Sequence, residues 1–437
     1  VSAIAASRLW LSPGIAPARD YFIEADPGTD LSAVVRPRSS ALLTPVWTRR
    51  GYRHVWSTFG PDQIDLNYAN PDVFFEILDI LLYYVSQGAR IIRLDAVAFL
   101  WKRIGTPCLN LPETHEIVRI FRECLALAAP DVLLLTETNL PAGENESYFG
   151  GGEEAHLIYN FVLPPLLLHA LLSGSSRALN AWAASRRPPP PGCACLNFTA
   201  SHDGIGLRPL EGLLPEAEVG RLVEQALSRG GRISLRAGRE GKEAPYELNI
   251  AYPDALSLPN DAALSRERFL ASQAIALALR GIPAIYFNSL FAARNDYARA
   301  EKTGQSRSLN RRRWAEDEIE ELLADSGSET AEAFRRYLVL LAARSAHPAF
   351  HPDGEERVVD LGERLFALER TSPGREERIL AVTNLTAGTA DLPRSGLRAA
   401  GCAGEIGEDL LGGALRRERG AEASLAPYQT RWLPLRC

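Results

Sequence analysis

The feature that most constrains this chain is an alternation of helices with single, short apolar strands. Asn70 suits a helix N-cap and Pro71 a first helical position; FFEILDILLYYV supplies the apolar faces and Gly88 a stop. The run RIIRLDAV that follows reads as a buried strand. The pattern then repeats. The helical stretch THEIVRIFRECLALAA ends at Pro130 and precedes the strand VLLLTET, and LIYNFVLP leads into the apolar helix PLLLHALL. Four consecutive prolines, Pro188 to Pro191, precede the strand LNFTASHDG. After a long insertion, GRISLRAGREGKEAPYELNIAYPDAL, come the helix RFLASQAIALALR and the strand IPAIYF. Helices alternating with single buried strands imply a parallel sheet, and this many units favour a barrel over an open sheet.

The flanks differ in texture. Residues 1–68 are rich in Pro, Gly, Ser and aromatics, and SPGIAPARD and VVRPRSS read as loop. From about residue 355, RVVDLG, LFALERT, ILAVTNLT and TRWLPLR read as short strands of a small antiparallel domain. A chain of 437 residues accommodates a large enzyme domain and an accessory one.

Composition excludes more than it assigns. A net charge of −6 makes no electrostatic case for nucleic acid or an anionic membrane. No apolar run reaches the length of a membrane span, and the first residues do not read as a cleaved signal. Cys108, Cys124, Cys193, Cys195, Cys402 and Cys437 are scattered, which suggests reduced thiols in a cytoplasmic protein, and Cys193 and Cys195 lack metal-site spacing. The chain begins at Val1 and contains no methionine. The first suggests a fragment of a longer reading frame or a processed form; the second has no physical account.

Catalytic groups of a barrel collect at the C-terminal ends of its strands. Three such ends carry carboxylates: Asp95 in RLDAV, Glu137 in LLLTETN and Asp203 in SHDG. A charge after an apolar strand is costly unless it faces a polar cavity. One such carboxylate is most simply a cap or a structural ion pair. Three in succession, two of them beside Arg93 or His202, point to a site. Arg93 lies two residues before Asp95, on the same strand face. Such a set suits glycosyl transfer, with a nucleophile, a proton donor and a third carboxylate for the cationic transition state. An arginine beside the nucleophile keeps it ionised and oriented. No second histidine stands at ligand spacing for a metal centre.

RLDAV, LLTETN and ASHDG, in this order, resemble three motifs of glycoside hydrolase family 13, the α-amylase family. FGPDQIDLNYANP, SHDGIG, YELNIAYPDAL and RNDYARAEKTGQSRSLNRRRW are most similar to its sucrose-phosphorylase-like subfamily. The resemblance implies a (β/α)8 TIM barrel with an inserted loop domain and a C-terminal antiparallel β domain. It implies that Asp95 is the nucleophile, Glu137 the general acid/base and Asp203 the transition-state stabiliser. Arg93, His202 and Arg307 would hold the glucosyl unit, with Asp296 nearby, and Phe59 and Gln63 would line the site. Arg38 and Tyr246 match positions that bind phosphate or the acceptor, and Glu247 would face the acceptor side. The implied partners are an α-glucoside, inorganic phosphate and an acceptor; no cofactor is implied.

Departures from the subfamily pattern refine this. A tyrosine is usual four residues after the nucleophile and a histidine two after the acid/base; here they are Phe99 and Asn139. The loop GIGLRPLEG brings Arg208 towards the acceptor side. These features are more similar to the branch whose acceptor is glycerate, a carboxylate that Arg208 would pair, although phosphate is an equal partner for it. Nothing in residues 1–68 resembles the first three barrel strands. The resemblance therefore implies an inserted-domain remnant over 1–68, barrel strands 4–8 over 69–350, ending near Asp95, Glu137, Tyr159, His202 and Phe287, and the β domain over 351–437. It also implies that the 437-residue chain by itself is poorly stable, because two sheet edges are open, and inactive, whereas a longer product is active.

Competing readings are sucrose phosphorylase, or a hydrolase or transglucosidase of the same subfamily. A non-catalytic carbohydrate-binding homologue is a different class, and three intact carboxylates argue against it.

Overall fold

In a computed structural model, residues 20–38, 40–48, 51–237, 243–393, 397–398, 408–412 and 423–435 are described. Cys402, Cys437 and VSAIAASRLWLSPG lie outside them. The chain divides into two compact units. One runs to Tyr159 and includes Leu235–Tyr246, and the other comprises Asn160–Ser234 and Glu247–Cys437.

The first unit opens with a hairpin where the sequence reads as loop. Strands β1 (Leu43–Thr48) and β2 (Gly51–Trp56) pair antiparallel, with Trp47 opposite Tyr52. Pro45 interrupts the alternation that would have marked them. Trp56, fully buried, packs with Leu42 and Cys108 as the core beneath the hairpin. Helix α1 (Pro71–Ser86) begins as the sequence requires, because the Asn70 side chain accepts from the Asp72 amide and satisfies one of the orphan donors of the first turn. Strand β3 (Ile91–Leu94), helix α2 (Pro112–Ala128), β4 (Leu133–Thr136) and β5 (Leu157–Tyr159) follow. β3, β4 and β5 run parallel in that order. The helices meet through Phe74 of α1 stacked on Phe121 of α2, with ring centroids 4.9 Å apart.

The second unit continues with helices α3 (Leu163–Ser173) and α4 (Arg177–Ser185) and strands β6 (Ala194–Asn197) and β7 (Ile205–Gly206). Helix α5 (Glu216–Ser228) follows, and then β8 (Arg232–Ala237) and β9 (Glu243–Asn249), each of which contributes residues to both units. Helix α6 (Ala262–Ala278) and β10 (Ile282–Pro283) complete the helix–strand alternation, and β10 pairs parallel with β6. β6 and β10 are shorter than LNFTASHDG and IPAIYF suggest. After Asn197 and Pro283 the backbone leaves the ladder, so the residues towards Asp203 and Tyr286 form loops. Helices α7 (Tyr297–Thr303), α8 (Glu316–Ala324) and α9 (Glu329–Ala346) lie in a stretch for which the sequence reading assigned no element.

The C-terminal strands form as expected. β11 (Glu355–Val358), β12 (Leu365–Thr371), β13 (Arg378–Asn384) and β16 (Thr430–Pro434) make one antiparallel sheet, and β14 (Ala390–Leu392) pairs with β15 (Ala423–Leu425). Ile379, Ala381 and the fully buried Trp432 pack this sheet on α6 and α9. Arg370, also fully buried, ties the same region together by donating to the carbonyls of Ala278 (2.8 Å), His351 (2.8 Å) and Glu355 (3.2 Å). Burial holds this guanidinium down to about 10.

Candidate active site

In the first unit the chemistry gathers at the ends of β3 and β4. Arg93 projects from β3 beside Asp95, and its Nη1 lies 2.7 Å from Asp95 Oδ1. Its Nη2 lies 3.6 Å from Glu137 Oε2. One guanidinium thus serves carboxylates from adjacent strand ends, and its planar fork suits that task better than an ammonium. Burial lowers the Arg93 pKa, but Glu137 and Asp95 together outweigh it and leave it raised. Ala96, in the left-handed region at φ 47°, turns its amide to donate to Glu137 Oε2 at 2.8 Å. The Glu137 amide in turn donates to the Leu94 carbonyl at 3.0 Å. The Asp95 side chain is 71% exposed and that of Glu137 is 16% exposed. The first is open to a ligand and the second is held in a drier place. Tyr159, at the end of β5, places its ring 5.8 Å from the Arg93 guanidinium carbon, and burial pushes its phenol up.

The second unit holds the other cluster. Arg307 Nη1 lies 2.5 Å from Asp203 Oδ1, while its Nε (2.9 Å) and Nη2 (2.6 Å) form a fork on Glu247. Glu247, only 2% exposed, also accepts from the Gly204 amide at 2.7 Å. This contact accounts for the glycine of SHDG, because a Cβ at Gly204 would lie 2.5 Å from both the Glu247 side chain and the Leu248 carbonyl. β7 opposite β9, with Gly206 paired to Glu247, sets the approach. His202 Nε2 stands 3.7 Å from Asp203 Oδ2 and its side chain is exposed.

The remaining candidates are divided between the two units. Phe59 meets Phe99 edge to face at 5.4 Å, and Gln63 is exposed on a tight turn, its amide donating to Gly60 O. Arg38 stands over the Tyr246 ring at 5.8 Å. Asp296 caps α7, accepting from the Arg299 amide at 2.9 Å. Its own amide donates to Leu309 O at 2.8 Å, which ties it to the segment carrying Arg307. Arg208 is half-buried in a single turn, Arg208–Leu210. Among the described residues no cluster of His, Cys, Asp or Glu is arranged to hold a metal ion, and no helix is long and apolar enough to cross a membrane.

Residues that sequence reasoning passed over complete both clusters. Arg311 donates to Asp203 Oδ1 at 3.1 Å and to the His202 carbonyl, and Asn310 donates to the Asp203 carbonyl at 2.8 Å. Within RRRW, Arg311 reads as one more solvated cation; only its spacing of four from Arg307 marks it. Tyr159 had a weaker signal, as the last residue of a short strand.

Comparison with known proteins gives the site a context. The family profile described as the catalytic domain of alpha amylase matches residues 11–179. The chain is 44% identical over 417 residues to the glucosylglycerate phosphorylase of Allomeiothermus silvanus, covering 94% of this chain and 72% of that protein. It is 46% identical over 368 residues to the glucosylglycerate phosphorylase of Spirochaeta thermophila, covering 84% of this chain and 62% of that one. The crystal structure of sucrose 6F-phosphate phosphorylase from Thermoanaerobacter thermosaccharolyticum superposes with a TM-score of 0.74 at 25% identity, over 86% of this chain and 75% of its own.

Proposed function

The chain belongs to the α-amylase family, glycoside hydrolase family 13, with its TIM-barrel fold and C-terminal antiparallel sheet, and on that premise we propose that it is a retaining α-glucoside phosphorylase acting on glucosylglycerate. The observation that carries the reading is Arg93 held between Asp95 and Glu137 at adjacent strand ends. An exposed, cation-paired carboxylate suits a nucleophile. A mostly buried one suits a group that must give and take a proton.

Asp95 attacks the anomeric carbon as Glu137 gives its proton to the departing glycerate oxygen. The C1–O bond breaks, a covalent β-glucosyl-enzyme forms, and Arg93 is left paired to Glu137. Asp203, held by Arg307 and Arg311, faces the cationic ring of the transition state. In the second half Glu137 takes a proton from phosphate, whose oxygen attacks C1 and releases Asp95 and α-glucose 1-phosphate. Phe59 and Gln63 line the glucosyl unit, and His202 and Arg307 hold it with Asp296 nearby. Arg38 and Tyr246 receive phosphate, Arg208 pairs with the glycerate carboxylate, and Glu247 works on the acceptor side as the buried anion that orients Arg307. We read residues 1–68 as part of an inserted loop domain, 69–350 as barrel and 351–437 as the β domain. The working compartment is the cytoplasm.

The test is phosphate-dependent release of α-glucose 1-phosphate from sucrose, glucosylglycerol and glucosylglycerate. It is run on the 437-residue chain and on a form extended at its N-terminus. Glucosylglycerate is preferred by the form that turns over, and release by the shorter form overturns the expectation that it is inactive. Arg208→Ala is expected to lower kcat/KM for glucosylglycerate about tenfold more than for sucrose, as loss of a charged hydrogen bond requires. An unchanged preference removes the case for a carboxylate acceptor.

A further inference from the structure

Lys102 is one of three lysines, with Lys242 and Lys302, in a chain whose basic residues number 48. Arginine is its cation nearly everywhere else. At 102 the side chain is 3% exposed, and its ammonium lies 2.7 Å from Asp65 Oδ2. It also donates to the Phe99 carbonyl and stands 6.0 Å from the Trp56 ring centroid. These groups converge around a compact point charge with three donors, where a planar guanidinium would need more room.

Each partner closes one loop of the candidate site. Asp65 accepts from the Thr58 amide at 3.1 Å and from Thr58 Oγ1 at 2.5 Å, and its amide donates to Trp56 O at 2.9 Å. The loop it fastens carries Phe59 and Gln63. Through the Phe99 carbonyl, Lys102 fastens the turn that begins just after Asp95. The two loops therefore meet twice, at the buried ion pair and at the Phe59–Phe99 edge-to-face contact of 5.4 Å.

From this we infer that Lys102 and Asp65 are positioning residues, a buried clamp that couples the Phe59–Gln63 loop to the turn behind Asp95 and so fixes the aromatic wall relative to the nucleophile. A buried charge that loses its partner pulls in water or moves, so breaking the pair from either side frees both loops. The inference rests on the proposed function for the meaning of that wall, but not for the coupling itself.

Two measurements test it. Amide hydrogen exchange on the 437-residue chain is read over 57–66 and 96–103. Asp65→Asn, nearly isosteric and made in one loop, is expected to speed exchange tenfold or more in the other. Lys102→Met does the reverse, Lys102→Arg does not restore protection, and α3 is unchanged. Acceleration confined to the substituted loop, or uniform throughout the chain, overturns the clamp. In the form that turns over, Lys102→Met lowers kcat/KM for glucosylglycerate tenfold or more, and adding Phe59→Ala costs less than a further twofold. Fully additive losses overturn the positioning role. Absence of any α-glucoside turnover by both the unsubstituted chain and its N-terminally extended form defeats the phosphorylase reading and leaves the exchange result to decide the clamp.

Discussion

Replacing Arg93 by methionine separates catalysis from stability. The substitution keeps an unbranched apolar stem and deletes a charge that two carboxylates share. The 2.7 Å contact to Asp95 is a hydrogen bond between charged groups, a class worth about 1.5–3 kcal/mol. The 3.6 Å contact to Glu137 is longer than a hydrogen bond. Its Coulomb energy at an effective dielectric of 20 is about 5 kcal/mol before screening. Arg93 is about a third exposed, and screening leaves on the order of 1 kcal/mol. Together these remove about 3 kcal/mol from the stabilisation of the reacting groups, a loss of roughly a hundredfold to a thousandfold in rate. Folding should barely register the change. Asp95 is 71% exposed, and exposed pairs contribute about 0–1 kcal/mol, while Glu137 keeps its bond from the Ala96 amide. Steady-state release of α-glucose 1-phosphate by the form that turns over, measured beside thermal unfolding, reads both quantities. Arg93→Lys should fall in between, since an ammonium satisfies one carboxylate and not both. A loss below threefold, or a stability loss above about 3 kcal/mol, refutes the reasoning.

Asp95→Asn should keep the melting temperature, because its carboxylate is mostly solvent-exposed, and should abolish turnover under the proposed role of that carboxylate as the attacking group; product release at the parental rate refutes the nucleophile assignment. Glu247→Ala acts on the fold instead. It strips the buried fork from Arg307 and the acceptor from the Gly204 amide, and a cost of about 3–5 kcal/mol in chemical denaturation is expected. Burial, with Arg122 adding to it, holds His156 down to about 4, and its Nδ1 accepts from the Leu134 amide at 2.9 Å. The unfolded chain therefore binds a proton at this position, as pH falls below the ordinary histidine value, before the folded chain does. This contribution to stability is complete above about 6.5 and is lost as pH falls from there to about 4. Unfolding measured across that window should show a shallower pH dependence in His156→Gln, and equal slopes would count against it.

What was legible in the sequence follows from the range of each cause. The Asn70–Pro71 start of α1 is local chemistry, read within four residues, and the structure places the cap bond there. RIIRLDAV reads as a strand because the apolar run is continuous, and Arg93 beside Asp95 follows from the two-residue repeat of a strand. The β1–β2 hairpin was not legible, since Pro45 interrupts its short alternation. The ends of β6 and β10 were not legible either. Apolar loop residues such as Phe198 and Ile285 look like ladder residues until the pairing is known. Arg311 was hidden for a different reason: a run of three arginines carries no mark of which one turns inward. Its partner Asp203 is 108 residues away, a distance no local pattern spans.

Both clusters join carboxylates through one arginine, yet the physics assigns them opposite work. Arg93 faces one open carboxylate and one enclosed one, so part of its field is available to whatever approaches Asp95. Arg307 gives its bidentate fork to Glu247, which is 2% exposed, and reaches Asp203 with the remaining nitrogen. A buried carboxylate that binds a guanidinium at both oxygens fixes that guanidinium before any ligand arrives, and preorganised charge of this kind needs no rearrangement at the moment of reaction. The exposed pair can then exchange partners during chemistry while the buried pair holds its geometry. Neutralising Glu247 should therefore disturb Asp203 through Arg307, whereas neutralising Asp95 leaves its surroundings in place.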